Sequence, residues 1–272
     1  MGVVNVTPDS FSDGGRFLDP QAAIAQGERL AAEGAAILDI GGESTRPGSE
    51  GVTAEEELRR VLPVVEGLSS TGAQISIDTS KAEVAAAALD AGASYVNDVT
   101  AFRGDPALAS LVAERAVDCC LMHMLGTPRT MQDDPRYDDV VADVKAFLEQ
   151  RLAFAVREGV PEQRVMLDPG IGFGKTVEHN LELLARLDEI AALGRPVVVG
   201  VSRKSFLGRI TGREPADRAV ATAAANVLAL ERGASVFRVH DVPETADALA
   251  VATATLAGRW PVTNPRTTTT TT

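Results

Sequence analysis

Short apolar runs alternate with longer amphipathic segments along almost the whole chain. The runs are residues 3–6, 37–41, 74–78, 95–99, 119–124, 165–168, 196–202 and 236–240. They are rich in Val, Ile and Leu and show no polar alternation, as strands buried on both faces should. Between them, residues 21–33, 54–68, 81–90, 106–115, 137–158, 177–192, 216–231 and 243–257 carry helix formers. Gly34, Gly72, Gly92, Gly159, Gly194 and Gly233 fall where those helices should stop, because glycine takes the left-handed terminal conformation without a Cβ penalty. Eight such units with no break in composition predict an α/β protein built as a single (β/α)8 TIM barrel over residues 1–260. Counting alone leaves an open, doubly wound sheet as the alternative. Residues 261–272 end in six threonines and are expected to form a disordered tail. The first run lies so near Met1 that no upstream segment is expected to plug the bottom of the barrel.

Charge narrows the partners. A net charge of −12 argues against nucleic acid and anionic membrane, which need basic surfaces. No apolar run reaches the length of a membrane span, and no signal peptide opens the chain. Cys119 and Cys120 are adjacent in an apolar run, which reads as core packing in a reduced, cytoplasmic protein.

Candidate chemistry lies at the ends of the runs, where such barrels place their active sites. Asn5, Asp39, Asp78, Asn97, Asp98, His123, Asp168, Ser202, Arg203, Lys204, Arg238 and His240 all fall there. Burying so many polar groups costs several kcal/mol in total unless they pair with one another or with a ligand, at about 1–3 kcal/mol for each unsatisfied group. Some have plain structural readings. Asp39 is expected to join a network with the turn at Gly41, Gly42 and Glu43. Asp98 is expected to cap the following turn, His123 to be a satisfied core histidine, and His179 to be a surface group. Arg238 and His240, two apart, should share a strand face. With Ser202, Arg203 and Lys204 they suggest a phosphate site. Gly170-Ile-Gly-Phe-Gly-Lys-Thr176 imitates a nucleotide-binding P-loop, but Pro169 stands where that pattern needs glycine.

Longer motifs carry a resemblance. Asn5-Val-Thr-Pro-Asp-Ser-Phe-Ser-Asp-Gly-Gly15 and Asp39-Ile-Gly-Gly-Glu-Ser-Thr-Arg-Pro-Gly48 resemble the two signatures of the dihydropteroate synthases. Ser76-Ile-Asp-Thr79, Asn97-Asp98, Leu121-Met-His-Met124, Leu167-Asp-Pro-Gly-Ile-Gly-Phe-Gly-Lys175, Ser202-Arg-Lys-Ser-Phe206 and Arg238-Val-His240 follow in the family's order, so the resemblance runs from Gly2 to about residue 260. It implies condensation of a hydroxymethyl-dihydropterin diphosphate with p-aminobenzoate, releasing pyrophosphate. Asp168 would read the pterin's amino-pyrimidine edge, helped by Asp78, Asn97 and Lys204, with Val99, Met122 and Phe173 against the ring. Asn5, Arg238 and His240 would hold the diphosphate, Asn5 together with Mg²⁺. Phe11, Thr45, Arg46, Pro47 and Ser202 would close over p-aminobenzoate. Asp78, Asp168, Lys204, Arg238 and His240 are the implied catalytic groups, acting on an ionisation-first substitution. A homodimer and sulfonamide sensitivity are further implications. Two departures are noted: the chain lacks the leader that usually precedes the first signature, and the threonine tail has no counterpart.

Two alternatives share the pterin-binding barrel: a methyltetrahydrofolate-dependent methyltransferase and a non-catalytic paralogue. The first has no use for residues 44–48 or for the Arg238 and His240 pair. Residues 7–15 and 42–51 are polar and glycine-rich, and are expected to bury too little surface to hold one conformation before diphosphate binds.

Overall fold

Residues 1–7, 19–46 and 48–259 are described by a computed structural model. Phe11, Pro47 and the 261–272 tail therefore lie outside the described residues, as does most of the 7–15 segment. Eight parallel strands form one curled sheet in sequence order: β1 (Gly2–Asn5), β2 (Ile37–Gly41), β3 (Gln74–Asp78), β4 (Tyr95–Asp98), β5 (Asp118–Met122), β6 (Val165–Asp168), β7 (Val197–Val199) and β8 (Ala234–Phe237). The connecting helices are α1 (Pro20–Ala32), α2 (Ala54–Leu68), α3 (Ala82–Asp90), α4 (Ala107–Arg115), α5 (Val140–Arg157), α6 (Val177–Ala185), α7 (Leu187–Ala191), α8 (Ser205–Thr211), α9 (Ala219–Glu231) and α10 (Val242–Ala257). The two ends of the sheet meet through a parallel bridge between Gly2 and Val239. There Val3 N–H donates to Val239 O at 3.0 Å and Val239 N–H to Met1 O at 2.9 Å.

The absence of polar alternation in the strands has a simple cause: both faces are buried, in different cores. Leu38, Ile40, Ile75, Ile77, Val96, Cys119, Leu121 and Leu167 point outward into one large cluster shared with the helices. Their neighbours Ile37, Tyr95, Cys120 and Val198 form a second cluster on the inner face, with Met166 and Val236 packed against it. Burial raises the thiol pKa of both cysteines, and both are unbridged, which supports packing rather than chemistry. One step further along the strands, the inner face turns polar at Asp39, Ser76 and Asn97.

Local chemistry fixes the helix starts. Asp19 accepts from Gln21 N–H ahead of Pro20, Thr53 from Glu56 N–H, and Asp139 from Val141 and Ala142 N–H. Three departures from the sequence reading have visible causes. The 177–192 segment is two helices, broken at Arg186, whose guanidinium is held by Asp139, Glu182 and Glu189. The fifth helix starts at Val140 rather than 137, because Tyr137 turns away to donate its hydroxyl to Gly174 O. Strands β7 and β8 end before Ser202 and Arg238. Beyond them the Ser202 hydroxyl stands where a strand carbonyl would, accepting His240 N–H at 3.1 Å. Helix α8 and the 3₁₀ turn Pro215–Asp217 fill the stretch before α9, which begins at Ala219 rather than 216.

Candidate active site

The polar residues from the strand ends converge in two groups. The first is centred on Asp39, which is fully buried. Its Oδ1 accepts from Ser76 Oγ at 2.6 Å, and its Oδ2 from Asn97 Nδ2 at 3.1 Å and Arg238 Nε at 2.6 Å. Arg238 Nη2 also donates to Asp78 Oδ2 at 2.9 Å. Three strands and the residue after a fourth are thus tied through one carboxylate and one guanidinium. The expectation that Asp39 serves the Gly41–Glu43 turn is corrected: its hydrogen bonds go across the inner face to Ser76, Asn97 and Arg238, whereas Gly42 lies against Val61 and Glu57 of α2. The turn is served instead by Arg60, whose Nη1 donates to Gly42 O at 2.8 Å, and by Lys81, which pairs with Glu43 and Glu57. One arginine between two carboxylates leaves a surplus negative charge. Burial, and next the charge of Asp39, push the Asp78 carboxyl up to about 8 against the pull of Arg238.

The second group surrounds Asp168, which is 6% exposed. Its Oδ1 accepts from Gly170 N–H at 2.6 Å, the single hydrogen bond to this carboxylate among the described residues. Burial raises its pKa; Lys204, the Gly170 amide and Lys175 oppose that rise. Burial brings the Lys204 ammonium down to about 8, with Asp168 opposing. Lys204 donates to Ile171 O and lies 4.6 Å from the centre of the Phe173 ring. Phe173 packs with Val99, Met122 and Met124. The site therefore joins a buried carboxylate, a lysine poised near neutrality and an apolar wall, which suits a flat, hydrogen-bonding ligand.

The Gly170–Lys175 segment has the glycines of a phosphate loop, but three of its amides are already taken by protein. Gly170 N–H goes to Asp168, Gly172 N–H to Asn180 Oδ1 at 2.7 Å, and Phe173 N–H to Gly170 O. Gly170 is left-handed, and a Cβ there would lie 1.8 Å from His123 O; at Gly174 it would lie 2.6 Å from Leu125 Cβ. The glycines thus let this loop press onto the chain beyond β5. Lys175, which the sequence reading passed over, is buried inside the loop. A lysine that follows tight glycines and cannot reach solvent is the signal that was missed.

Other predicted residues fall as follows. His240 Nδ1 lies 2.9 Å from Ser202 Oγ; burial, then Arg238, lower its pKa to about 4, so it is a neutral hydrogen-bonding group at neutral pH. Arg203 pairs with Asp241 and so does not add to a cluster of unpaired cations. Asp98 caps its turn, accepting from Thr100 and Phe102 N–H. His123 is a buried, satisfied histidine beside Lys175, with its pKa lowered to about 2 by burial. His179 is more than a surface group: it forms a capping box with Thr176 and packs edge-on against Tyr137. Asn5 is half-buried at the end of β1. Thr45 and Arg46 lie on a segment held by Ser49, whose hydroxyl lies 2.6 Å from Ser44 O and 2.7 Å from Arg46 O. Gly48 N–H donates to Pro128 O. That segment is thus more tied down than its composition predicts, because backbone carbonyls supply what apolar burial does not.

Fold and site together define an α/β enzyme with a polar, small-molecule site at the C-terminal ends of its strands. A family model described as pterin binding enzyme matches residues 1–240. The dihydropteroate synthase of Escherichia coli is 44% identical over 260 residues, covering 95% of this chain and 92% of that one. That of Mycobacterium leprae is 49% identical over 267 residues, covering 96% and 92%. The chain spans 30% of a probable bifunctional folylpolyglutamate synthase/dihydropteroate synthase from Haloferax volcanii, to which it is 47% identical. Among solved structures, Xanthomonas albilineans dihydropteroate synthase with 4-aminobenzoic acid superposes with a TM-score of 0.88 at 51% identity, covering 94% of this chain and 92% of that one. The Yersinia pestis enzyme in a sulfonamide drug complex gives 0.89 at 42%, covering 95% and 93%. The chain belongs to the pterin-binding enzymes, within the dihydropteroate synthases, which are transferases.

Proposed function

We propose that this chain joins a hydroxymethyl-dihydropterin diphosphate to p-aminobenzoate, and that the Asp168 group reads the pterin. The supporting observation is the half-satisfied, buried Asp168 beside Lys204 and Phe173. An ionised Asp168 accepts from the amino-pyrimidine edge, Lys204 donates to the ring's acceptors, and Phe173 and Met122 pack on its faces. Asn97 and Asp78 complete the pocket. Asn5 and His240 face the diphosphate with Arg238. Thr45, Arg46 and Ser202, with Phe11 and Pro47, close over p-aminobenzoate. The sheet is read as a closed (β/α)8 barrel, supported by the Gly2 to Val239 bridge, and residues 1–260 as its single catalytic domain.

The chemistry follows from these groups. The bond between the pterin methylene carbon and the diphosphate oxygen breaks, and its electron pair leaves with pyrophosphate. The cation left behind is delocalised into the pterin ring, where an ionised Asp168 favours it electrostatically; Asp78, largely protonated at neutral pH, adds its charge only as the pH rises towards its pKa of about 8. The lone pair of the p-aminobenzoate nitrogen then forms the new C–N bond, and that nitrogen loses a proton to solvent. Mg²⁺ fits this site through Asn5, which offers a hard amide oxygen. No group of three or more His, Cys, Asp or Glu that could cage a metal occurs among the described residues. The ion would be held by the Asn5 oxygen together with water and substrate phosphate. When bound, it would neutralise charge on the leaving diphosphate.

A cytoplasmic homodimer is the proposed setting; no helix among the described residues is long and apolar enough to cross a membrane. The test is direct. Purified protein, Mg²⁺, the pterin diphosphate and p-aminobenzoate should release pyrophosphate, and sulfonamide should suppress the coupled product. Pyrophosphate release at the same rate without p-aminobenzoate and no coupled product would overturn the assignment.

A further inference from the structure

Lys175 is 3% exposed and lies within the loop that follows β6. Its Nζ lies 2.9 Å from Gly170 O, 3.0 Å from Phe173 O and 2.9 Å from His123 Nδ1. Every carbonyl from 170 to 174 is occupied: Gly170 and Phe173 by Lys175, Ile171 by Lys204, Gly172 by Gln132 and Gly174 by Tyr137. Lys175 alone serves two of them, from the inside. Its nitrogen donates to both carbonyls whether it is an ammonium or a neutral amine. As an ammonium it also donates to His123 Nδ1; as an amine it accepts from that ring nitrogen.

Two of the residues read as pterin contacts, Asp168 and Phe173, are tied to Lys175 through the loop's backbone. Gly170 presents its carbonyl to Lys175 and its amide to Asp168 Oδ1, so the lysine sets the Asp168 rotamer through a single residue. Phe173 gives its carbonyl to Lys175 while its ring faces Lys204. Without the lysine, the part-buried Phe173 carbonyl would lose its donor and the Gly170 carbonyl would keep only the Phe173 N–H, so the loop would have to re-form around water.

We propose that Lys175 is a positioning residue for pterin recognition. It fixes Asp168 and Phe173 by holding the Gly170 and Phe173 carbonyls, with His123 seating its nitrogen, and it does not touch substrate. This rests on the reading of Asp168 and Phe173 as pterin contacts. The diphosphate-facing groups Asn5 and His240 share no hydrogen bond with it among the described residues, so its loss should divide the two halves of one substrate.

The experiment is a pair of calorimetric titrations, with the hydroxymethyl-dihydropterin alcohol and with pyrophosphate plus Mg²⁺. Lys175→Met should weaken the pterin at least tenfold and leave pyrophosphate within threefold of wild type. Lys175→Gln, which keeps an N–H donor in the cavity, should recover part of the pterin affinity. Pterin affinity within threefold of wild type in Lys175→Met, or parallel loss of both ligands, would overturn the proposal. If Lys175→Met does not fold, His123→Leu decides. It removes one of the three partners of Nζ and should weaken the pterin threefold or more with pyrophosphate unchanged; unaltered pterin affinity would overturn the proposal. Asp168→Asn is titrated alongside. Wild-type pterin affinity in that variant would mean that the reading of the site has failed, rather than the role of Lys175.

Discussion

Asp39 and Asp168 are both aspartates in parallel strands, both buried, and both within reach of a cation, yet they are built for different ends. Asp39 has each oxygen engaged by protein: Ser76 on one, Asn97 and Arg238 on the other. Asp168 has one oxygen on a backbone amide and keeps its lysine at a distance, with Lys204 spent on a carbonyl and an aromatic face. A fully paired carboxylate in the centre of a sheet is architecture. A half-paired one beside an apolar wall carries the desolvation penalty of a buried acceptor until a donor-rich ligand arrives. That difference is why the second is proposed as the recognition group.

The sharpest way to break the comparison is to remove each carboxylate in turn. Asp39→Ala leaves Arg238 facing Asp78 alone and strips two other donors, so urea unfolding should show a loss of about 3–5 kcal/mol. A loss below about 1 kcal/mol would remove the architectural reading. Asp168→Asn should do the reverse. The carboxyl holds its proton more tightly folded than unfolded, so above its raised pKa ionisation works against folding, and the amide removes that penalty while still accepting from Gly170. Stability should change little, whereas pterin affinity should fall by roughly 10- to 150-fold, the equivalent of losing about 1.5–3 kcal/mol of charge-assisted hydrogen bonding. Calorimetry and unfolding on the same sample check both halves.

A milder test uses pH. On the proposed reading, pterin binding needs Asp168 ionised and Lys204 protonated. Affinity should therefore rise from acid through the raised Asp168 pKa and decline again as Lys204 loses its proton near pH 8. Lys204→Arg keeps its charge through that range and should flatten the alkaline limb, even if the longer side chain weakens binding overall. An alkaline limb unchanged in that variant would assign it to another group. The smallest effect expected is at His240. With its pKa lowered to about 4 it carries no charge at neutral pH, so His240→Gln should weaken pyrophosphate binding by only a few-fold, the scale of one neutral hydrogen bond of about 1 kcal/mol. A loss of a hundredfold would show that it acts as a cation.

The sequence alone determined the eight-unit repeat, the class of fold and most of the residues at the mouth, for a physical reason. Fully buried parallel strands must be continuous apolar runs, and polar residues can end such runs only where a partner or a ligand meets them. It could not say which face a residue such as Asp39 takes, because with both faces buried the period of two leaves no trace in hydrophobicity. Nor could it find the end of β8 at Phe237, since the Ser202 hydroxyl that replaces a ladder carbonyl comes from 38 residues away. The helix break at Arg186 depends on Asp139, 47 residues distant, and the role of Lys175 on which way its chain turns. Local composition selects elements through burial and backbone propensity. Pairing among charged and polar groups is set by tertiary approach, so the division between Asp39 as architecture and Asp168 as recognition was decided only when the strands came together.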